Sequence, residues 1–139
     1  FVRGGGMADR ITTTTAAAVN GGGGNDILTG SSGSDTMTGG AGADRFVFEG
    51  IASSEMTQQD RITDFQVGID DLVFMGLLRG SFAFIGSANF VANGNSQARF
   101  AAADQTIQLD TNGNGVADMG INMTGSAMAG LTAADFVWG

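Results

Sequence analysis

Bulky apolar residues recur every nine positions in the first third of the chain: Leu28, Met37 and Phe46 each stand two residues after an aspartate, at Asp26, Asp35 and Asp44. Glycine-rich polar stretches fill the gaps. Such spacing predicts very short strands joined by turns, with the three apolar residues facing a common interior. Two nine-residue units then make one turn of a parallel coil with a loop on each side. Loops eighteen residues apart stack, so Asp26 and Asp44 lie one above the other and Asp35 lies on the opposite side.

The pattern changes downstream. Residues 49–59 break the period and suit a loop or one short helical turn. From Asp60 onward, short β-like runs alternate with turn residues and point to antiparallel strands near Arg61 to Phe65, Leu72 to Met75, Ser81 to Ile85, Ala98 to Ala102, Thr106 to Leu109 and Ala117 to Thr124. Gly68-Ile69-Asp70 and Asn93-Gly94-Asn95 are turn signals. In the last hairpin, Ile107 and Leu109 alternate with polar neighbours on one arm, and Ala117, Met119, Ile121 and Met123 on the other. One face of each arm is therefore expected to be buried.

The glycine stretches carry chemistry as well as turns. Gly21 to Thr29, Gly30 to Thr38 and Gly39 to Val47 each fit G-G-x-G-x-D-x-U-x, where U is a large apolar residue; Ser31 replaces the second glycine of the middle unit. This is a calcium-loop signature. Glycine allows close-approach turns that leave carbonyls pointing inward, so the expected ligands are Gly22, Gly24 and Asp26, then Ser31, Gly33 and Asp35, then Gly40, Gly42 and Asp44. Calcium accepts six to eight hard oxygens in flexible geometry, whereas zinc favours the His and Cys ligands this chain lacks. A flexible linker is the plainer reading of Gly/Ser-rich sequence, but it gives no reason for Asp and an apolar residue at fixed offsets three times over.

Other acidic positions are less regular. Gly4 to Thr12 is a decayed unit with Met7 in a glycine position; Asp9 precedes Asp26 by seventeen residues and marks either a partial ion site or a simple capping strand. Thr13 to Asn20 fills the space of a unit without a carboxylate and is expected to bind nothing. Asp110-Thr111-Asn112-Gly113-Asn114-Gly115 matches the first half of an EF-hand loop, but Ile121 stands where the bidentate Glu belongs. Two Asn-Gly pairs also make a strong hairpin turn, which is the favoured reading. Asp60, sixteen residues after Asp44, is either a ligand closing the last site or a solvated acidic edge.

A net charge of −8 with six arginines and no lysine argues against nucleic acid and for cations as partners. Without cysteine there are no disulfides, and bound metal can take over their structural role. No apolar run is long enough for a transmembrane helix, and no N-terminal signal peptide opens the chain. His, Cys, Tyr and Lys are absent, which removes the commonest general bases and nucleophiles. No catalytic residue is expected. The start at Phe1 predicts a fragment, with any catalytic domain of a parent protein upstream.

The nonapeptides resemble the RTX (repeats-in-toxin) family of secreted bacterial proteins, with its hemolysin-type calcium-binding repeats. The likeness extends beyond them. Gly39 to Phe48 followed by Asp60 to Asp70 looks like the junction leaving the β-roll in serralysin-type C-terminal domains, and Asp110 to Asp118 and Asp135-Phe136-Val137 look like that family's ending. The resemblance implies an all-β fold: a short calcium-bound parallel β-roll (residues 1–49) followed by an antiparallel β-sandwich cap (residues 50–139). It supports Asp60 as a ligand and makes Ala98 to Ala103, helical on propensity alone, a strand.

It also implies several calcium ions, an upstream domain of the same protein, a secreted, extracellular or cell-surface location, and a C-terminal signal read by type I secretion machinery. The ending Trp138-Gly139 departs from the aliphatic finish usual in serralysins. A different function class remains: a calcium-dependent adhesive or carbohydrate-binding surface module, which a groove with exposed aromatics would favour.

Overall fold

A computed structural model describes residues 1–138. Six strands make the roll: β1 (Val2–Arg3), β2 (Arg10–Thr12), β3 (Ala18–Gly23), β4 (Ile27–Thr29), β5 (Thr36–Ala41) and β6 (Arg45–Phe48). They alternate between two sheets, so that β1, β3 and β5 stack in one and β2, β4 and β6 in the other, all parallel. Val19 lies beside Met37 and Leu28 beside Phe46, the eighteen-residue step expected for two units per turn. Ile11, Val19, Leu28, Met37 and Phe46 all point between the sheets and are buried. Each strand has room for only one or two inward side chains, so a bulky residue at every such position is what gives the thin coil an interior.

After a single 3-10 turn at Ile51–Ser53, the chain re-enters both sheets with β7 (Asp60–Ile62) and β8 (Asp71–Phe74). β7 stacks on β5 and β8 on β6, again parallel, because each continues the coil's winding. Then come β9 (Phe82–Phe84), β10 (Ser96–Ala101), β11 (Thr106–Asp110), β12 (Met119–Asn122) and β13 (Phe136–Trp138). Antiparallel pairing is confined to β10, β11 and β12; β12 meets β7, β9 meets β10 and β13 meets β8 in parallel. Roll and cap therefore share two continuous sheets, ordered β1-β3-β5-β7-β12-β11-β10-β9 and β13-β8-β6-β4-β2.

The strands expected downstream of Asp60 are all present, and the stretch from Ala98 is β as the resemblance implies, but β7, β8 and β9 pair in parallel and not in the antiparallel sense expected, β7 and β8 because they continue the winding of the roll. Ile107 faces Ile121 and Leu109 faces Met119 across the hairpin, with all four and Met123 buried. At about 0.8 kcal/mol per buried methylene, this alternation is what orients the meander. An aromatic group closes the far end: Phe74 stacks on Phe48 at 5.4 Å and on Trp138 at 5.0 Å, and Phe82 lies 4.6 Å from Trp138.

Candidate metal centre

The aspartates form two columns, one along each side of the roll. On the first side, Asp9 N–H donates to Asp26 Oδ1 (2.8 Å), Asp26 N–H to Asp44 Oδ1 (2.9 Å) and Asp44 N–H to Asp70 Oδ1 (2.9 Å), across 17, 18 and 26 residues. On the second, Ala17 N–H donates to Asp35 Oδ1 (2.8 Å) and Asp35 N–H to Asp60 Oδ1 (2.8 Å), across 18 and 25 residues. One carboxylate oxygen of Asp26, Asp44, Asp70, Asp35 and Asp60 thus holds the main chain of the turn before it.

In Asp35 and Asp70 the other oxygen is taken, by Ser31 N–H at 2.8 Å and Gln66 N–H at 2.9 Å, but in three aspartates it is left over. Oδ2 of Asp26, Asp44 and Asp60 is buried without a hydrogen-bond partner, in residues at most 1 % exposed. An unpaired buried carboxylate oxygen is costly unless something positive meets it. Burial pushes Asp60 up to about 8. Asp44 is raised by burial and then by the carboxylates of Asp70, Asp26 and Asp64; Asp70 is raised by burial and by Asp64 and Asp71.

The first glycine of each unit shows where those oxygens point. A Cβ on Gly21 would collide with Asp26 Oδ2 and lie 2.6 Å from the Gly39 carbonyl oxygen, and one on Gly39 would collide with Asp44 Oδ2. At Gly30 it would lie 2.8 Å from Asp60 Oδ2 and 3.1 Å from Asp35 Oδ2. Side-chain-free space is therefore kept where oxygens of two turns converge. Among the described residues no three acidic side chains gather into one metal-holding group, so protein ligands would come as carboxylates completed by carbonyls. Hard oxygens of this kind, in number and not in rigid geometry, fit calcium.

Each position expected from the sequence has a place here. Gly22, Gly24, Gly33, Gly40 and Gly42 all have positive φ, with the carbonyls of Gly22 and Gly24 aimed at Gly40 and Gly42 of the next turn. Ser31 acts through donors: its N–H (2.8 Å) and Oγ (3.3 Å) both reach Asp35 Oδ2. Asp35 is in consequence fully partnered, unlike Asp26 and Asp44. Asp9 heads the first column, partly exposed, with Oδ2 taken by Gly5 N–H at 2.6 Å.

Asp60 is buried in the stack, against the solvated-edge alternative, but it does not follow Asp44. It stacks on Asp35, and Asp70 takes the position after Asp44. The loop at 49–59 makes the step from Asp44 to Asp60 sixteen residues instead of nine, and because it lies within both the Asp35–Asp60 and the Asp44–Asp70 turns it moves both pairs off the eighteen-residue step.

Two acidic residues that contact the columns lie outside the sequence expectation. Asp70, treated as part of a turn, closes the first column, and Asp64 accepts from both Gly39 N–H (2.9 Å) and Gly40 N–H (2.8 Å). The signal for Asp70 was the triplet alone: Asp60-Arg61-Ile62 and Asp70-Asp71-Leu72 repeat the Asp-x-apolar end of the nonapeptide without its glycines. Asp110, by contrast, accepts Gly113, Asn114 and Gly115 N–H groups at 2.8, 3.3 and 2.7 Å, and Asp118 binds Thr111. Their carboxylates are occupied in closing the hairpin turn.

Stacked glycine-aspartate loops on a parallel coil define a β-roll of the RTX type. The chain belongs to the peptidase M10 serralysin C-terminal family, whose model matches residues 3–138. Among solved structures, it is similar to the AlgE6R3 subunit of the Azotobacter vinelandii mannuronan C5-epimerase in solution, with a TM-score of 0.55, 23% identity, and coverage of 94% of this chain and 78% of that one. That likeness shows the shared fold. Comparison with curated proteins gives no match.

Proposed function

We propose that this chain is a calcium-binding module that stays unfolded where calcium is scarce, folds where it is plentiful outside the cell, and supports type I secretion of a larger bacterial protein. The observation that carries the reading is the set of buried, partnerless Oδ2 atoms on Asp26, Asp44 and Asp60, each over a glycine cradle. Asp26, Asp44 and Asp70 would serve one column, Asp35 and Asp60 the other, with carbonyls of the glycine loops completing each site. A bound cation would neutralise carboxylates that otherwise repel one another across the turns.

Linkage sets the size of the effect. Extracellular sites bind calcium with dissociation constants on the order of 0.1 to 1 mM. At about ten times its dissociation constant, a ligand stabilises the folded state by about 1.4 kcal/mol per site, so a few sites reach the lower end of the ~5 to 15 kcal/mol of a normal domain. The division into roll (1–49) and cap (50–139) is proposed in this sense: loops supply ligands in the first, apolar packing dominates the second, and Asp60 and Asp70 join them.

Any catalytic domain of the parent protein would lie upstream of this chain. The glycan-binding alternative gains nothing here, since Trp138 and Phe82 pack against each other at the end of the core. Among the described residues no helix is long and apolar enough to cross a membrane.

Circular dichroism tests the reading. A disordered spectrum in chelator and a β-rich one in millimolar calcium are expected, with magnesium a poor substitute because it demands tight octahedral geometry. Identical spectra in both conditions would end it.

A further inference from the structure

The larger sheet changes character at β7. Parallel roll strands lie on one side and the antiparallel meander on the other, and three residues join them: Arg61 and Ile62 pair with Thr36 and Met37 of β5, while Asp60 and Arg61 pair with Ile121 and Asn122 of β12. The strand begins at Asp60, whose carboxylate holds Asp35 N–H through Oδ1 and leaves Oδ2 free over Gly30.

Ser54, fully buried in the preceding loop, touches both sides of this seam. Its Oγ accepts Asp60 N–H at 2.9 Å and donates to the Gly120 carbonyl at 2.5 Å; its own carbonyl accepts Gly120 N–H at 3.1 Å. A hydroxyl has one proton to give, and here it goes to β12 while a lone pair receives β7. The fit is close on the β12 side too. A Cβ on Gly120 would lie 2.5 Å from Gln59 Nε2 and 2.9 Å from Met56 Sδ, both in the Ser54 loop.

We propose that Ser54 is a positioning residue that couples cation occupancy at Asp35 and Asp60 to docking of the β10–β12 meander onto the roll. The inference rests on the calcium reading above. An Asp60 held at both carboxylate oxygens has a fixed main chain, and the Ser54 hydroxyl passes that position to Gly120. Without the hydroxyl, Asp60 N–H and the Gly120 carbonyl each lose a buried hydrogen-bond partner.

The test titrates the whole chain with calcium chloride and follows hydrogen exchange of roll amides (18–47) and meander amides (106–122) separately. In the wild type both segments gain protection at one midpoint. Ser54→Ala is expected to leave the roll midpoint within about twofold and to raise the meander midpoint about fivefold, the factor for one lost hydrogen bond. Ser54→Thr, which keeps the hydroxyl, is expected to restore coincidence, and Gly120→Ala to separate the midpoints again. Equal shifts in both segments, no shift in either, or failure of Ser54→Thr to rescue would overturn the coupling while leaving the calcium reading in place. A wild type whose exchange ignores calcium would overturn both.

Discussion

The main-chain N–H of Asp35 donates to Oδ1 of Asp60 at 2.8 Å, although 25 residues separate them. That bond carries the column across the one place where the repeat is interrupted, and it makes the last third of the site a product of the cap's sequence and not of the nonapeptides.

Ligand variants are expected to rank by column. Asp44→Ala and Asp70→Ala each remove a member of the first column, and each is expected to raise the calcium midpoint for folding about tenfold or more, the loss of roughly one charged ligand's 1.5 to 3 kcal/mol. Asp118→Ala, which only closes a turn through Thr111, is expected to leave it nearly unchanged. In chelator the order reverses, because Asp44→Ala deletes a buried carboxylate with an orphan oxygen. Calcium titrations that give Asp44→Ala and Asp118→Ala the same midpoint contradict the assignment.

Gly39→Ala and Gly50→Ala separate a cradle from a spacer. A Cβ at Gly39 meets the Asp44 carboxylate, whereas one at Gly50 has nothing within 4 Å and an extended backbone. Gly39→Ala is expected to abolish calcium-induced folding at concentrations that fold the wild type, and Gly50→Ala to change stability by no more than about 0.5 kcal/mol. Dichroism at fixed calcium reads the difference directly.

The effect of pH has a definite sign. Asp60 moves from 3.8 to about 8 on folding without metal, through burial, and Asp44 and Asp70 move the same way. The folded state then binds the proton more tightly, so this stabilisation is full below about pH 4 and lost as pH rises through about 8. In chelator, whatever residual β content acid preserves is expected to fall between pH 5 and pH 9. Calcium must displace the proton, so its midpoint is expected to fall over the same range, and Asp60→Asn to flatten both trends. Metal-free β content that rises with pH would refute the assignment.

Export and folding are expected to use the same C-terminal residues at different times. Phe136, Val137 and Trp138 pair with Leu72, Val73 and Phe74, and the Asp135 carboxylate accepts Gly68 N–H at 2.7 Å and Thr132 N–H at 2.9 Å. Gly139, the last residue of the expected signal, lies outside the described residues. Phe136→Ala is expected to destabilise the calcium-bound fold by about 3 kcal/mol, measured by urea unfolding. Removing residues 135–139 is expected to stop release into the medium from cells with a type I exporter. Undiminished release would leave these residues a structural role alone.

Sequence by itself determined what is local and periodic. Asp26, Asp35 and Asp44 with Leu28, Met37 and Phe46 gave the coil, its two loop sides and its interior, because a nine-residue unit that must turn at glycine and bury one side chain has few ways to stack. The hairpin of Ile107 and Leu109 against Met119 and Ile121 was equally legible, since period-two alternation survives in any sheet with one buried face. Tertiary structure alone decided which column Asp60 joins, that Asp70 follows Asp44, and that Asp64 holds the Gly39-Gly40 main chain. Those positions depend on how the longer segments before Asp60 and Asp70 fold back, and loop length does not fix where a loop returns. The parallel direction of β7, β8 and β13 came from the same source: each pairs with the sheet edge that the preceding turn exposes, and that edge exists only once the roll has formed.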